Sequence, residues 1–107
     1  MVARATQAVN EFGLTAAQHA QIAGVLGEYP GITAVRVFGS RAKGTHRATS
    51  DLDLALSGTL DWRDVARIAG EFDDLDLPFR VDVLQYEALT HEALRAHIDR
   101  VGRPFHR

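Results

Sequence analysis

Residues 39–44 read Gly39-Ser40-Arg41-Ala42-Lys43-Gly44, and residues 50–54 read Ser50-Asp51-Leu52-Asp53-Leu54. The run 32–38 before them is rich in β-branched residues and predicts a strand that ends at Gly39-Ser40. Residues 51–56 alternate strictly, with aspartates on one side and leucines on the other, which predicts a half-buried strand. The polar segment 41–50, which joins the two strands, is predicted to be mostly loop.

A further strand is predicted at residues 79–84, where apolar and polar side chains alternate again. One face of this strand carries Asp82, while its apolar face and that of the 51–56 strand should lie under helices. A short edge strand is expected at residues 103–106. The two apolar faces are formed by Leu52, Leu54, Leu56, Phe79, Val81 and Val83.

Three helices are predicted from capping residues and from apolar residues at helical spacing. The first runs from a cap at Thr15 to about residue 28, the second from a cap at Asp61 to about residue 73, and the third from a cap at Thr90 to about residue 100. A turn is predicted at Ser57-Gly58. The inner face of the second helix is predicted to contain Trp62, Val65, Ile68, Ala69 and Phe72.

The order of the elements is helix, strand, loop, strand, helix, strand, helix. It predicts an α/β (α+β) fold in which a small mixed sheet has helices packed on one face. We expect a single domain over residues 1–107, with residues 1–13 as either a short helix or a loose lead-in. Asp51, Asp53 and Asp82 would then lie on the face that the core does not need.

Composition narrows the classes of function. Hydrophobic residues make up 46% of the chain and charged residues 24%, the balance of an ordinary globular protein. The chain has no cysteine, which excludes disulfides and thiolate metal sites, and no apolar run approaches the length of a membrane span. Its net charge of −2 lacks the basic surplus typical of proteins that hold long nucleic acids. We therefore expect a cytoplasmic protein with no membrane or strong nucleic-acid partner.

The aspartates on the uncovered sheet face suggest a cation site. Side chains at positions i and i+2 of a strand lie roughly 6.5 Å apart on the same side, so Asp51 and Asp53 can converge on one or two hard cations. Asp82 can add an oxygen ligand from a neighbouring strand. Aspartates that merely solvate an exposed face are the simpler explanation, but aspartate is disfavoured within strands and like charges on one face repel. A bound cation would compensate for both effects.

Gly39-Ser40 suggests a phosphate site beside these aspartates. Glycine lets the main chain approach a phosphate closely, and the Ser40 hydroxyl can donate to a phosphate oxygen. Arg41 and Lys43 could balance the phosphate charge. Each feature alone is common in turns and on solvated surfaces, so the prediction depends on their occurrence together with the Asp51-x-Asp53 pair.

The combined pattern resembles the signature of the DNA polymerase β-like nucleotidyltransferase superfamily. Ten residues, from Arg41 to Ser50, separate Gly39-Ser40 from Asp51. The short chain is similar to the minimal, MNT-type branch of that superfamily. The resemblance covers residues 32–84 well and extends plausibly to the last helix.

The resemblance implies a fold, a reaction and roles for individual residues. Gly39 and Ser40 would bind the triphosphate of ATP, and Asp51 and Asp53 would bind magnesium, with two ions expected. Asp82 would complete the metal site and help to activate an acceptor hydroxyl. Apart from the resemblance, the position of Ser50 just before Asp51 suggests either that it orients the metal site through a hydrogen bond or that it is a plain turn residue. The implied reaction is nucleotidyl transfer, most simply of AMP from ATP with release of pyrophosphate.

The MNT resemblance also implies a partner. Such proteins resemble antitoxins that place AMP on a tyrosine of a HEPN-domain ribonuclease toxin, so we expect a protein adenylyltransferase in a hetero-oligomer with its toxin. Transfer of a nucleotide to a small molecule or to a tRNA end is a second hypothesis. A third hypothesis is a non-catalytic antitoxin that neutralises its toxin by contact alone.

Overall fold

Four strands form one mixed sheet in the computed structural model, which describes residues 8–107. The spatial order is β3-β2-β1-β4, in which β2 pairs antiparallel with β1 and parallel with β3, and β4 pairs antiparallel with β1. These pairings confirm the predicted class of a small mixed α/β sheet. The strands are β1 (Ile32–Phe38), β2 (Leu52–Gly58), β3 (Val81–Gln85) and β4 (Arg103–Pro104).

The helices begin at residues that can accept hydrogen bonds from free main-chain amides. Thr15 and Asp61 each form a capping box, with Gln18 and Asp64 respectively, which confirms both predicted caps. The last helix is capped by His91, whose Nδ1 accepts from the amide of Leu94, rather than by Thr90 as predicted. The helices are α1 (Ala16–Gly27), α2 (Ser40–Lys43), α3 (Trp62–Asp73) and α4 (Glu92–Val101).

One face of the sheet carries the main core. Leu52, Leu54 and Leu56 are fully buried there, as the alternation in β2 predicts, and they pack with the apolar sides of α1 and α3. Burial of this apolar surface is the principal stabilising contribution. The other fully or almost fully buried members of this core include Phe12, Leu14, Ile22, Leu26, Val37 and Ile68.

The opposite face is partly covered by α4, which differs from the expectation that the helices share one face. His97 of α4 meets Phe38 edge to face, with ring centroids 6.3 Å apart. Asp99 of α4 forms an ion pair with Arg36 of β1 at 3.4 Å. Because the sequence pattern of α4 shows only that it has a buried side, it does not reveal which sheet face receives that side.

The segment 41–50 is mostly loop, as predicted, and only its first three residues belong to the short helix α2. Two further local predictions were wrong. Ser57-Gly58 continues β2 instead of forming a turn. Trp62 is 73% exposed, although its spacing placed it on the inner face of α3. It occupies the first position of the helix, where the side chain extends beyond the core and stacks with the guanidinium of Arg63.

The N-terminal expectation is tested only in part, because residues 1–7 lie outside the described residues. Residues 8–14 are not a loose lead-in. The Asn10 side chain accepts from the amides of Phe12 and Leu14, and both of these apolar side chains are 1% exposed. None of the helices within residues 8–107 is both long and apolar enough to cross a membrane.

Candidate functional site

Gly39 lies at the junction of β1 and α2, directly against the carboxylate of Asp53. Its φ of 71° and ψ of −154° belong to a region that essentially only glycine adopts without strain. A Cβ at this position would lie 2.4 Å from Asp53 Oδ2. The absence of a side chain at Gly39 therefore allows the Gly39-Ser40 turn and the β2 carboxylate to approach each other.

Asp53 is the most electrostatically perturbed carboxylate of the site. It is half-buried, and burial, followed by the neighbouring charges of Asp82 and Asp51, raises its pKa to about 6. Asp82 is its register partner across the parallel β2–β3 pair. Ionisation of the Asp53 carboxyl is therefore unfavourable, and a nearby cation would stabilise the charged form.

Asp82 is held by a basic neighbour on its own strand. Arg80 Nη2 donates to Asp82 Oδ1 at 2.8 Å, and this bond with the charge of Asp82 raises the pKa of Arg80. The Arg80 side chain is exposed, so the pair lies at the solvent side of the site. Arg80 thus counters part of the negative charge on this face.

Asp51 is exposed and lies immediately before β2 rather than within it. Within residues 8–107, no group of three or more histidine, aspartate or glutamate side chains converges as metal ligands do. The donor chemistry nevertheless fits magnesium, because carboxylate oxygens are its preferred protein ligands and Asp53 bears a charge that a cation would stabilise. The residues that would hold it are Asp51, Asp53 and Asp82.

Arg41 does not face the site as expected. Its side chain is fully buried, and its guanidinium donates to main-chain carbonyls of Phe12, Ala48 and Ser50 at 2.8–3.0 Å. A phosphate contact would require these bonds to be broken, so Arg41 is removed from the proposed phosphate site. Lys43, by contrast, is exposed on α2.

Ser50 stabilises the loop that precedes Asp51. Its Oγ accepts from the amide of Arg47 at 2.8 Å, and its carbonyl accepts from Arg41 Nε at 3.0 Å. These bonds are consistent with an orienting role toward Asp51, which stays a prediction. Sequence reasoning missed the carbonyl acceptors of Arg41, because a main-chain acceptor leaves no signal in residue type.

Comparison with known proteins now adds to this geometry. The family model described as polymerase beta, nucleotidyltransferase matches residues 20–106. The chain belongs to the polymerase β nucleotidyltransferase family. The resemblance inferred from Gly39-Ser40 and the Asp51-x-Asp53 pair is therefore confirmed at the level of the family.

A curated protein is similar in sequence to this chain. The chain is 44% identical over 69 residues to the probable protein adenylyltransferase MntA of Haemophilus influenzae. The match covers 63% of this chain and 60% of that protein, so the chain spans less than two thirds of the relative's length.

Solved structures of toxin–antitoxin complexes share the fold of this nucleotidyltransferase. A toxin–antitoxin structure with AMP-PNP matches with a TM-score of 0.66 and 24% identity, over 82% of this chain and 72% of that chain. The complex of a tri-AMPylated Shewanella oneidensis HEPN toxin with its MNT antitoxin matches with a TM-score of 0.59 and 21% identity, over 82% and 68% of the chains. At these identities the similarity shows the fold alone.

Proposed function

We propose that this chain is a magnesium-dependent nucleotidyltransferase that transfers AMP from ATP to a hydroxyl group, and that it acts as an antitoxin in the cytoplasm. The acceptor in this proposal is a tyrosine of a partner HEPN ribonuclease toxin. The observation that carries the proposal is the close approach of Gly39 to Asp53, which in turn has Asp82 as its register partner. The Gly39-Ser40 turn, which is the proposed phosphate site, therefore lies close to two carboxylates at one end of the strands.

The phosphate-binding part consists of the Gly39-Ser40 turn and Lys43. The missing side chain at Gly39 lets the turn lie against the Asp53 carboxylate, and the Ser40 hydroxyl can donate to a phosphate oxygen. Lys43 is exposed on α2 and supplies a positive charge that can follow the phosphates. Together these groups would position the α-phosphorus for attack.

The carboxylates supply the other half of the reaction. Two magnesium ions, when bound by Asp51, Asp53 and Asp82, would neutralise phosphate charge during the displacement. The acceptor oxygen forms a bond to the α-phosphorus, and the bond from that phosphorus to the bridging oxygen of pyrophosphate breaks. Asp82 would receive the hydroxyl proton on Oδ2, because Oδ1 accepts the hydrogen bond from Arg80.

The partner is proposed from the similar proteins. The curated relative is a probable protein adenylyltransferase, and one structure of the same fold holds an AMPylated HEPN toxin with its antitoxin. The net charge of −2 agrees better with a protein acceptor than with a long nucleic acid.

The test is incorporation of labelled AMP into the HEPN partner, with ATP labelled at the α-phosphate. The purified chain with magnesium should add the label, and the Asp51→Ala, Asp53→Ala double variant should lose it. Asp76→Ala, an exposed aspartate outside the site, is the matched control. Full labelling by the double variant contradicts the mechanism. Labelling of tRNA or small molecules instead would replace the acceptor, and neutralisation of the toxin without labelling would favour a binding-only antitoxin.

A further inference from the structure

The side chain of Arg41 is a buried cation bound by the main chain. It is 0% exposed, and no salt bridge within residues 8–107 includes it. Four carbonyl oxygens accept its N–H groups: Nε donates to Ser50 at 3.0 Å, Nη2 to Ala48 at 3.0 Å, and Nη1 to Phe12 at 2.8 Å and Gly13 at 3.4 Å. Burial lowers the pKa of Arg41, since the cation has left water.

These acceptors come from two distant segments of the chain. Ala48 and Ser50 belong to the loop that delivers Asp51, whereas Phe12 and Gly13 belong to the N-terminal turn. The guanidinium carbon also lies 4.4 Å from the ring centroid of Phe79, shortly before β3 begins. One planar group therefore contacts both segments and the entry to the strand that carries the third aspartate.

Arg41 is connected to the candidate site both through its main chain and through its side chain. Along the chain it directly follows Ser40, the second residue of the Gly39-Ser40 turn. Through its Nε it holds the carbonyl of Ser50, which directly precedes Asp51. The distance between the turn and the first aspartate is therefore spanned by a single side chain, a much shorter connection than the intervening loop.

The geometry of these bonds requires a guanidinium. It has five N–H groups in a rigid plane, so it can satisfy several carbonyls that lie in different directions. A lysine ammonium is a point charge with a smaller reach and cannot reproduce this pattern. An apolar side chain of similar length would leave the carbonyls without their donor, at a cost that burial increases.

We infer that Arg41 is a positioning residue, which fixes Asp51 relative to the Gly39-Ser40 turn by holding the Ala48 and Ser50 carbonyls. This inference rests on the proposed function, because it assigns Asp51 and the turn to a shared site for a divalent cation and a nucleotide. It replaces the direct phosphate role that the sequence suggested for Arg41. It predicts that loss of the guanidinium weakens cation binding even in a chain that remains folded.

The experiment is a titration of the full chain with Mn²⁺ and a non-hydrolysable ATP analogue, followed by electron paramagnetic resonance of the bound ion. Arg41→Lys and Arg41→Met are compared with the wild type, and circular dichroism at the same temperature establishes that each variant is folded. We expect both to bind Mn²⁺ with the analogue about 10- to 100-fold more weakly, the range typical for residues that orient metal ligands. Hydrogen exchange of the amides in residues 45–51 should also become faster.

Ile68→Val is the matched control for stability. Ile68 is fully buried in α3 and belongs to the main core, so the substitution should lower stability without moving the site. Its Mn²⁺ affinity and spectrum should equal those of the wild type at a temperature where both are folded. Equal loss in this control and in Arg41→Lys would overturn the inference, since it would reduce Arg41 to a general contribution to stability.

The outcomes separate the inference from the proposed function. If the wild type binds no Mn²⁺ with the analogue, the proposed function fails. If the wild type binds and folded Arg41→Lys binds equally well, the positioning role fails. Should both Arg41 variants unfold, Phe79→Leu replaces the ring beneath the guanidinium, which also belongs to the main core, and unchanged affinity in that folded variant would count against the inference.

Discussion

Asp53 and Asp82 occupy the same register position on β2 and β3, and each faces the other across a parallel strand pair. Like charges directly opposite each other in a sheet are destabilising, yet here they remain side by side. The Arg80 guanidinium donates a hydrogen bond to Asp82. Burial, followed by the charges of Asp82 and Asp51, raises the pKa of Asp53 to about 6.

The raised pKa of Asp53 predicts a pH-dependent stability. The folded chain binds this proton more tightly than the unfolded chain, whose value is about 3.8, so the free energy of unfolding should fall as pH rises from about 4 through 6. Asp53→Asn should remove this decline and raise the melting temperature at about pH 7.5, with little effect at about pH 4. Thermal melts of the wild type and of Asp53→Asn at the two pH values measure the difference in melting temperature. A variant that is less stable than the wild type at the higher pH would contradict the prediction.

Gly39→Ala is predicted to damage the site and the fold together. The strained φ and the 2.4 Å approach to Asp53 Oδ2 should lower the free energy of unfolding by about 1–3 kcal/mol and prevent nucleotide binding. Gly70→Ala is the matched control, because Gly70 is helical and has nothing within 4 Å of an added Cβ. This control should gain about 0.5–1 kcal/mol. Urea denaturation measures the free energy of unfolding of both variants, and an equal change in the two would contradict the prediction.

Arg80→Ala should leave stability nearly unchanged while altering the charge at the site. Its ion pair with Asp82 is solvent-exposed, and such pairs contribute little to stability. Without Arg80, the Asp82 carboxylate is free to bind a cation, so affinity for Mn²⁺ in the absence of nucleotide should rise. Calorimetric titration measures this change. Arg63→Ala, at an exposed position beside Trp62, serves as the comparison and should show no change in affinity.

Truncation of two aromatic residues of α3 is predicted to have very different effects on stability. Phe72 is 3% exposed and packs in the main core, so Phe72→Ala should cost about 3–5 kcal/mol. Trp62 is 73% exposed, and Trp62→Ala should change stability by less than about 0.5 kcal/mol. Chemical denaturation of the two variants gives both values. A large loss of stability in Trp62→Ala would contradict the prediction, because an exposed side chain makes few packing contacts.

Much of the fold follows from local patterns in the sequence. Thr15 and Asp61 start helices because their side chains accept main-chain hydrogen bonds, and this chemistry is visible in residue type alone. The alternation of aspartate and leucine in β2 likewise distinguished the buried face from the other one. The mixed α/β class and the family could therefore be predicted correctly.

The features of the fold and the site that the sequence did not predict depend on contacts between distant residues. Arg41 reads as a free cation in sequence, because nothing there indicates that carbonyls of Phe12 and Ala48 will surround it. The apolar stripe of α4 predicts burial but is compatible with either face of the sheet. Trp62 has the spacing of a core residue, but its place in the first turn exposes it. The periodicity is correct for α4 and for Trp62, and in all three cases the environment of the side chain is set by tertiary packing.

Gly39 and Asp53 are held together by a direct contact. The loop that joins them in sequence is therefore not needed to hold them together. Arg41 holds the loop again at Ala48 and Ser50, so residues 44–47 span only the interval between two fixed points. An added Cβ at Gly44 meets nothing within 4 Å. An inserted residue beside Gly44 would therefore lengthen the loop, and the Gly39-Ser40 turn and Asp53 would still be in contact.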